Sequence, residues 1–155
     1  DLGNLLGHGA PRFADKVKNK FTPDEVILAG LIYDELRPSD QDVNRLNINY
    51  ATPEELQQNP TKLLDWIKEN NIEYLAVHFD LDGLSPADYR SIYPAEPYLE
   101  SFGAATGQLT LKQIVKILLD VSKNTEIVGL SITEHLPWDA MNLRDALSKI
   151  SIFND

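Results

Sequence analysis

The chain contains no cysteine. That excludes disulfides, a thiolate metal site and a cysteine nucleophile, and it suits the cytoplasm. Basic residues are in the minority: 14 Lys and Arg stand against 24 Asp and Glu, a formal net charge of -10. An acidic domain argues against nucleic acid and anionic membranes as main partners. An acidic cleft instead favours a metal ion or a cationic substrate, although a solvated acidic surface accounts for the bulk of such charge. No apolar run approaches the length that crosses a bilayer. No basic-then-apolar leader follows Asp1, and a start at Asp1 is expected of a fragment or a processed chain. Repeats, low-complexity tracts and long linkers are also missing.

What remains is a balance of 43% hydrophobic and 25% charged residues over 155 positions, as in one soluble globular domain with a sizeable core. The patterning alternates helix and strand. Phe13 and Val17, four apart, predict a helix over residues 10–20. The run Val26 to Ile32 is short, apolar and β-branched, as a strand buried on both faces would be. Val43 and Leu46 suggest a short helix after Pro38, and Ile48 and Tyr50 a short strand. Thr52-Pro53-Glu54-Glu55 is a capping box with proline at the first helical position. Asn59-Pro60 restarts that helix, with Leu63, Leu64 and Ile67 on one stripe.

Ile72 to Phe79 predicts a second buried strand, and residues 83–108, rich in Pro and Gly, a long ordered loop. A second capping box, Thr110 to Gln113, opens an amphipathic helix with Leu111, Ile114, Val115, Leu118 and Leu119 on one face. Ile127 to Thr133 is a third strand. A last helix after Pro137 is expected to turn Leu143, Leu147 and Ile150 inward. Alternating strands and helices predict an α/β fold: a parallel sheet with helices on both faces, in three layers. Ligands of such sheets sit at the carboxyl ends of the strands.

Two segments at strand ends carry chemistry. In Val77-His78-Phe79-Asp80-Leu81-Asp82-Gly83, two carboxylates lie two residues apart, a spacing that can place both on one side. Such a pair is costly unless compensated, and a hard divalent cation compensates it. The pair reads equally as two turn-forming aspartates in an exposed loop. Glu134, in Ser131-Ile132-Thr133-Glu134-His135-Leu136-Pro137, is placed to face the same crevice. Taken alone, it reads as a residue approaching a helix.

Together these segments resemble the arginase, agmatinase and formiminoglutamase family of ureohydrolases. That family has a strand ending in Ser/His-Phe-Asp-x-Asp-x-x-Asp-Pro, matched by His78 to Pro86. A Gly-Gly-Leu-Thr-like turn follows, matched by Gly107-Gln108-Leu109-Thr110. A strand ending in Glu-x-x-Pro comes last, matched by Glu134 to Pro137. Upstream, Leu2 to Gly9 is similar to the helix after the family's substrate-side histidine, and Val26 to Leu31 to the strand after it. The resemblance implies an arginase-like fold, of which residues 1–155 form a C-terminal part. It implies that Asp80 and Asp82 bind metal in a binuclear manganese site, with Asp80 bridging the two ions. It gives Glu134 the orientation of the substrate guanidinium. The implied reaction is hydrolysis of a linear guanidino or amidino C–N bond, leaving an amine and releasing urea or a related amide. A metal pair that lowers the pKa of water, and a carboxylate that grips a planar guanidinium, are consistent with that chemistry.

The chain departs from the pattern in three ways. A Gly-Gly-(Asp/Asn)-His turn and an Asp-x-His-x-Asp strand end, both metal-binding in the family, do not occur. Ser85 stands where the family has Asp before Pro. None of the three histidines matches a ligand position: His8 reads as a surface or helix-end residue, His78 takes the family's Ser/His place, and alternation turns His135 away from Glu134. The resemblance therefore implies a partial domain, inactive alone, that self-associates through open strand edges, and a family that often forms homo-oligomers.

Two other readings stand beside it. Phe79-Asp80-Leu81-Asp82-Gly83 also resembles the nucleophile motif of haloacid-dehalogenase-type phosphatases, hydrophobic-Asp-x-Asp-Gly-Thr. There Asp80 would be the phosphoryl acceptor beside magnesium, but Leu84 replaces the Thr and no later acidic pair follows. A non-catalytic arginase-like binding or structural module is the second.

Overall fold

The computed structural model describes residues 2–149 and residue 152. The chain opens with two single-turn helices, α1 (Leu2–Leu5) and α2 (Pro11–Ala14). The helix expected over residues 10–20 is thus one turn long. Beyond Ala14 the amide groups of Lys16 and Val17 reach back only three residues, to Phe13 and Ala14. Ala10 supplies no side-chain cap, and so short a segment does not sustain a helix without one.

Strand β1 (Ile27–Ala29) pairs in parallel with β2 (Asn49–Ala51), in the register Leu28 to Tyr50. The strand expected through Ile32 stops at Gly30, whose φ of +96° is open to glycine and to few other residues. The Gly30 and Leu31 amides both donate to the Ala51 carbonyl. Between the strands lies the short helix α3 (Asp42–Arg45), with Val43 buried.

The helix pair read from the capping box follows as α4 (Pro53–Gln58) and α5 (Thr61–Glu69). The Thr52 hydroxyl accepts from the Glu55 amide and the Glu55 carboxylate accepts from the Thr52 amide, an arrangement worth about 1 kcal/mol. Leu63 and Ile67 are buried on the expected stripe, with Trp66 beside them. The Trp66 indole N–H donates to the Asp24 carbonyl at 2.8 Å.

Strand β3 (Tyr74–Asp80) and strand β4 (Glu126–Thr133) form the second parallel pair. Thr125 clamps their starts together, its hydroxyl donating to the carbonyls of Ile72 and Glu73. Between them run the long loop and helix α6 (Leu111–Val121), which opens on the Thr110–Gln113 capping box read from the sequence. One main core joins the two strand pairs: Ala51, Leu56, Leu63, Trp66, Ile67, Leu109, Ile117 and Val121, with Ile27, Leu75 and Ile127 packed against it. Each fully buried aliphatic side chain here contributes about 1.5–3 kcal/mol.

Helix α6 turns inward only part of the face expected. Ile117 and Val121 are buried, with Ile114 against the core, whereas Leu111, Val115 and Leu119 are exposed. The helix carries two adjacent apolar rows, and periodicity alone does not choose between them. The last helix, α7 (Trp138–Leu147), buries no residue, and Leu143 is 60% exposed rather than inward. Ile150, also expected inward, lies outside the described residues. Parallel strands and helices make an α/β fold, as read from the sequence, in two two-stranded parallel pairs among the described residues. The second strand, expected to be buried, is covered on one face only: Tyr74, Ala76, His78 and Asp80 of β3 are open to solvent. No helix among the described residues is long and apolar enough to cross a membrane.

Candidate functional site

The site is built at the carboxyl ends of β3 and β4. Along β3 the side chains alternate, and Phe79 packs into a small apolar cluster with Leu81, Leu84 and Ile92. Asp80 therefore points to the opposite, open face. Past Asp80 the chain makes a tight turn, Leu81–Gly83, whose Leu81 is buried and whose Asp82 is half-buried. The apolar anchors on either side hold the two carboxylates at the rim.

A close approach fixes that turn from behind. Gly107 lies against the backbone of Asp82 and Gly83, so tightly that any Cβ there would strike the Gly83 carbonyl. Next to it, Leu84 and Leu109 form a parallel bridge, with the Ser85 amide donating to the Leu109 carbonyl at 2.8 Å. Glycine at 107 is thus required by packing, and the turn into α6 is the buttress of the Asp82 turn. Asp88, in the same loop, accepts from the first amide of α6, that of Leu111, at 2.9 Å.

Glu134 follows β4 directly. Its φ is +60°, in the left-handed region that non-glycine residues enter at a cost. The chain then turns away. The Leu136 amide donates to Ser91 and the Trp138 indole to the Ile92 carbonyl at 2.7 Å, which ties this turn to the long loop. Strand alternation, used to place His135, has already ended at Thr133.

Of the three carboxylates singled out in the sequence, Asp82 feels the other two. The Asp82 carboxyl is held above the ordinary aspartate value, first by burial and then by the negative charges of Asp80 and Glu134. Asp80 itself accepts a 2.9 Å hydrogen bond from the Thr133 hydroxyl. His78 lies beside them, its Nδ1 2.7 Å from the Ser131 hydroxyl and its Nε2 3.3 Å from the Thr133 hydroxyl. His8, by contrast, follows α1 and stands near Asp42, lowering that carboxyl's pKa after the larger effect of Arg45.

These polar residues meet because of an irregularity. The β3–β4 register shifts by one between Leu75 and Ala76. Unshifted from the Leu75–Ile127 pair, His78 would oppose Leu130 and Asp80 would oppose Ile132. With the shift, His78 opposes Ser131 and Asp80 opposes Thr133. One extra residue in β4 thus matches polar with polar on the open face. Ser131 and Thr133 are not singled out by the sequence patterning; their one signal is a pair of hydroxyl residues at spacing two just ahead of Glu134.

The donor chemistry suits a hard divalent cation, since the charges of Asp80 and Glu134 oppose ionisation of the partly buried Asp82. The number of donors fits only part of a centre. Among the described residues no group of three or more His, Cys, Asp or Glu side chains is placed to hold a metal ion.

No protein-family model matches the chain, and no curated protein matches it by sequence. Solved structures do. The arginase of Entamoeba histolytica in complex with L-ornithine superposes with a TM-score of 0.69 at 15% identity, over 96% of this chain and 50% of that one. Arginase from Bacillus cereus gives 0.63 at 19% identity, over 86% and 45%. Formimidoylglutamase from Bacillus subtilis gives 0.55 at 14% identity, over 80% and 36%. The fold is therefore arginase-like, and the chain spans about half the length of the arginases it matches.

Proposed function

We propose that this chain is the C-terminal half of a manganese-dependent ureohydrolase and carries half of its active site. The observation that carries the reading is the placement of Asp80, Asp82 and Glu134 at adjoining strand ends of an arginase-like fold, where burial and the charges of Asp80 and Glu134 raise the cost of charge on Asp82. Asp80 and Asp82 are the metal-binding carboxylates. Glu134 receives the guanidinium, gripping its planar N–H donors through charge-assisted hydrogen bonds. Manganese, when bound, supplies an activated water for the hydrolysis. The substrate is a small linear guanidino or formimino compound whose C–N bond is cleaved, leaving an amine.

The remaining metal ligands come from outside these residues, because the chain has neither a Gly-Gly-(Asp/Asn)-His nor an Asp-x-His-x-Asp segment. These residues alone are thus expected to bind one cation loosely and to turn nothing over. The complete enzyme is read as cytoplasmic and homo-oligomeric, with neither nucleic acid nor membrane as a partner. The phosphatase reading of Asp80 as a nucleophile gains no support from the structural likenesses, which lie with hydrolases of guanidino and formimino type.

Paramagnetic broadening of backbone amide signals by manganese tests the proposal. Broadening centred on residues 80–83 and 133–135 supports it. Broadening centred elsewhere on the acidic surface contradicts it.

A further inference from the structure

We propose that Thr133 is a positioning residue for the Asp80 carboxylate, as the last member of a one-way hydrogen-bond chain that runs from Ser131 through His78. The chain orients Asp80 toward a divalent cation, and the inference rests on the reading of Asp80 as a metal ligand.

Counting protons fixes the direction. A threonine hydroxyl has one proton to give, and an ionised aspartate can only accept. At 2.9 Å from Asp80 Oδ1, the Thr133 proton is committed to that oxygen. The contact of the same hydroxyl with His78 Nε2, at 3.3 Å, is then a hydrogen bond only if Nε2 carries a proton. In a neutral imidazole this leaves Nδ1 bare, an acceptor. The Ser131 hydroxyl, 2.7 Å from Nδ1, must donate to it. Ser131 gives to His78, His78 to Thr133 and Thr133 to Asp80, so each bond polarises the next in the same sense.

The consequence falls on Asp80. One of its oxygens is taken by Thr133, and among the described residues no other hydrogen bond reaches the carboxylate. Oδ2 is left to face a cation, with its direction set by a partner anchored in β4. Groups that hydrogen-bond to a metal ligand from behind fix its orientation in this way. The one-residue register shift of β4 supports the assignment, because without it a leucine and an isoleucine would replace the two hydroxyls.

The test combines two readouts on the 155-residue chain. Manganese affinity is measured by calorimetry for the unaltered protein, Thr133→Val and Thr133→Ser. Valine keeps the shape and loses the hydroxyl, and about a tenfold weakening is expected, with serine restoring the affinity. The ¹⁵N resonances of the His78 ring are recorded at a pH where it is neutral. A protonated Nε2 and a bare Nδ1 are expected, with that preference relaxed in Thr133→Val. Equal affinity for valine and threonine overturns the positioning role, and a ring protonated on Nδ1 overturns the hydrogen-bond chain. If the unaltered chain binds no manganese, the half-site reading and the positioning role both fall, while the ring resonances still decide the direction of the chain.

Discussion

Thr133 reaches across the end of the β3–β4 pair and donates a 2.9 Å hydrogen bond to Asp80, its register partner. The contact links the two segments that carry chemistry, because Asp80 leads into the Asp82 turn and Thr133 into Glu134. Three carboxylates gather there without a cationic side chain among the groups that set the pKa of Asp82. The tension of that arrangement is directly measurable.

Burial, then Asp80, then Glu134, raises the pKa of Asp82. The folded chain therefore holds the Asp82 proton to higher pH than the unfolded chain. Between the two pKa values folding takes up a proton, so stability falls as pH rises through that window. The loss is complete above the folded value. In the presence of a chelator, Asp82→Asn is expected to be more stable than the unaltered chain at neutral pH. The advantage vanishes below the ordinary aspartate pKa of about 3.9, where both forms are neutral. Solvent screening of this half-exposed group keeps the difference small. Urea denaturation at neutral and acid pH reads it, and a difference independent of pH would contradict the assignment.

Glu134 sits at φ +60°, a conformation costing about 1–2 kcal/mol for a residue with a Cβ. Glu134→Gly is expected to be at least as stable as the unaltered chain. Glu134→Val, with a branched Cβ, should lose about 1–2 kcal/mol. The contrast in denaturation midpoints separates backbone strain from loss of the carboxylate, which both variants share.

Gly107 lies against the Asp82–Gly83 backbone, whereas a Cβ on Gly83 meets nothing within 4 Å. Gly107→Ala is expected to cost about 1–3 kcal/mol by overpacking. Gly83→Ala should stay within about 0.5 kcal/mol of the unaltered protein. Equal stability of the two variants would remove the buttress.

Val128, Leu130 and Ile132 of β4 are each more than half exposed. Among the described residues β3 and β4 each pair with one neighbour only. Open parallel edges beside exposed aliphatic rows favour association. Sedimentation is expected to show concentration-dependent self-association, reduced in a Leu130→Thr, Ile132→Thr variant that keeps the strand propensity. A stable monomer at high concentration would contradict this.

The placement of the three candidate carboxylates at strand ends is legible in the sequence because it depends on local order. Asp80 and Asp82 stand at the end of an apolar run, and Glu134 stands at the end of another. Both capping boxes formed as their residues dictate. What was not legible depends on how distant segments meet. His78 matches no ligand position of the family, and its partners Ser131 and Thr133 are determined by a register shift that no single strand encodes. The inward face of α6 is only partly legible for the same kind of reason: Ile114 packs inward as expected, but Leu111, Val115 and Leu119 match helical spacing as well as Ile117 and Val121 do, and packing alone chose the latter. The short first strand is the counter-case, since Gly30 was visible and its φ of +96° ends the strand where the apolar run continues.

If Asp80 and Asp82 hold metal, as proposed, manganese binding depends on both carboxylates. Calorimetric titration with manganese, beside an Asp80→Ala, Asp82→Ala double variant, reads this. Binding by the unaltered chain that disappears in the variant is the expected result. Binding of equal strength in both, or no binding in either, would contradict it.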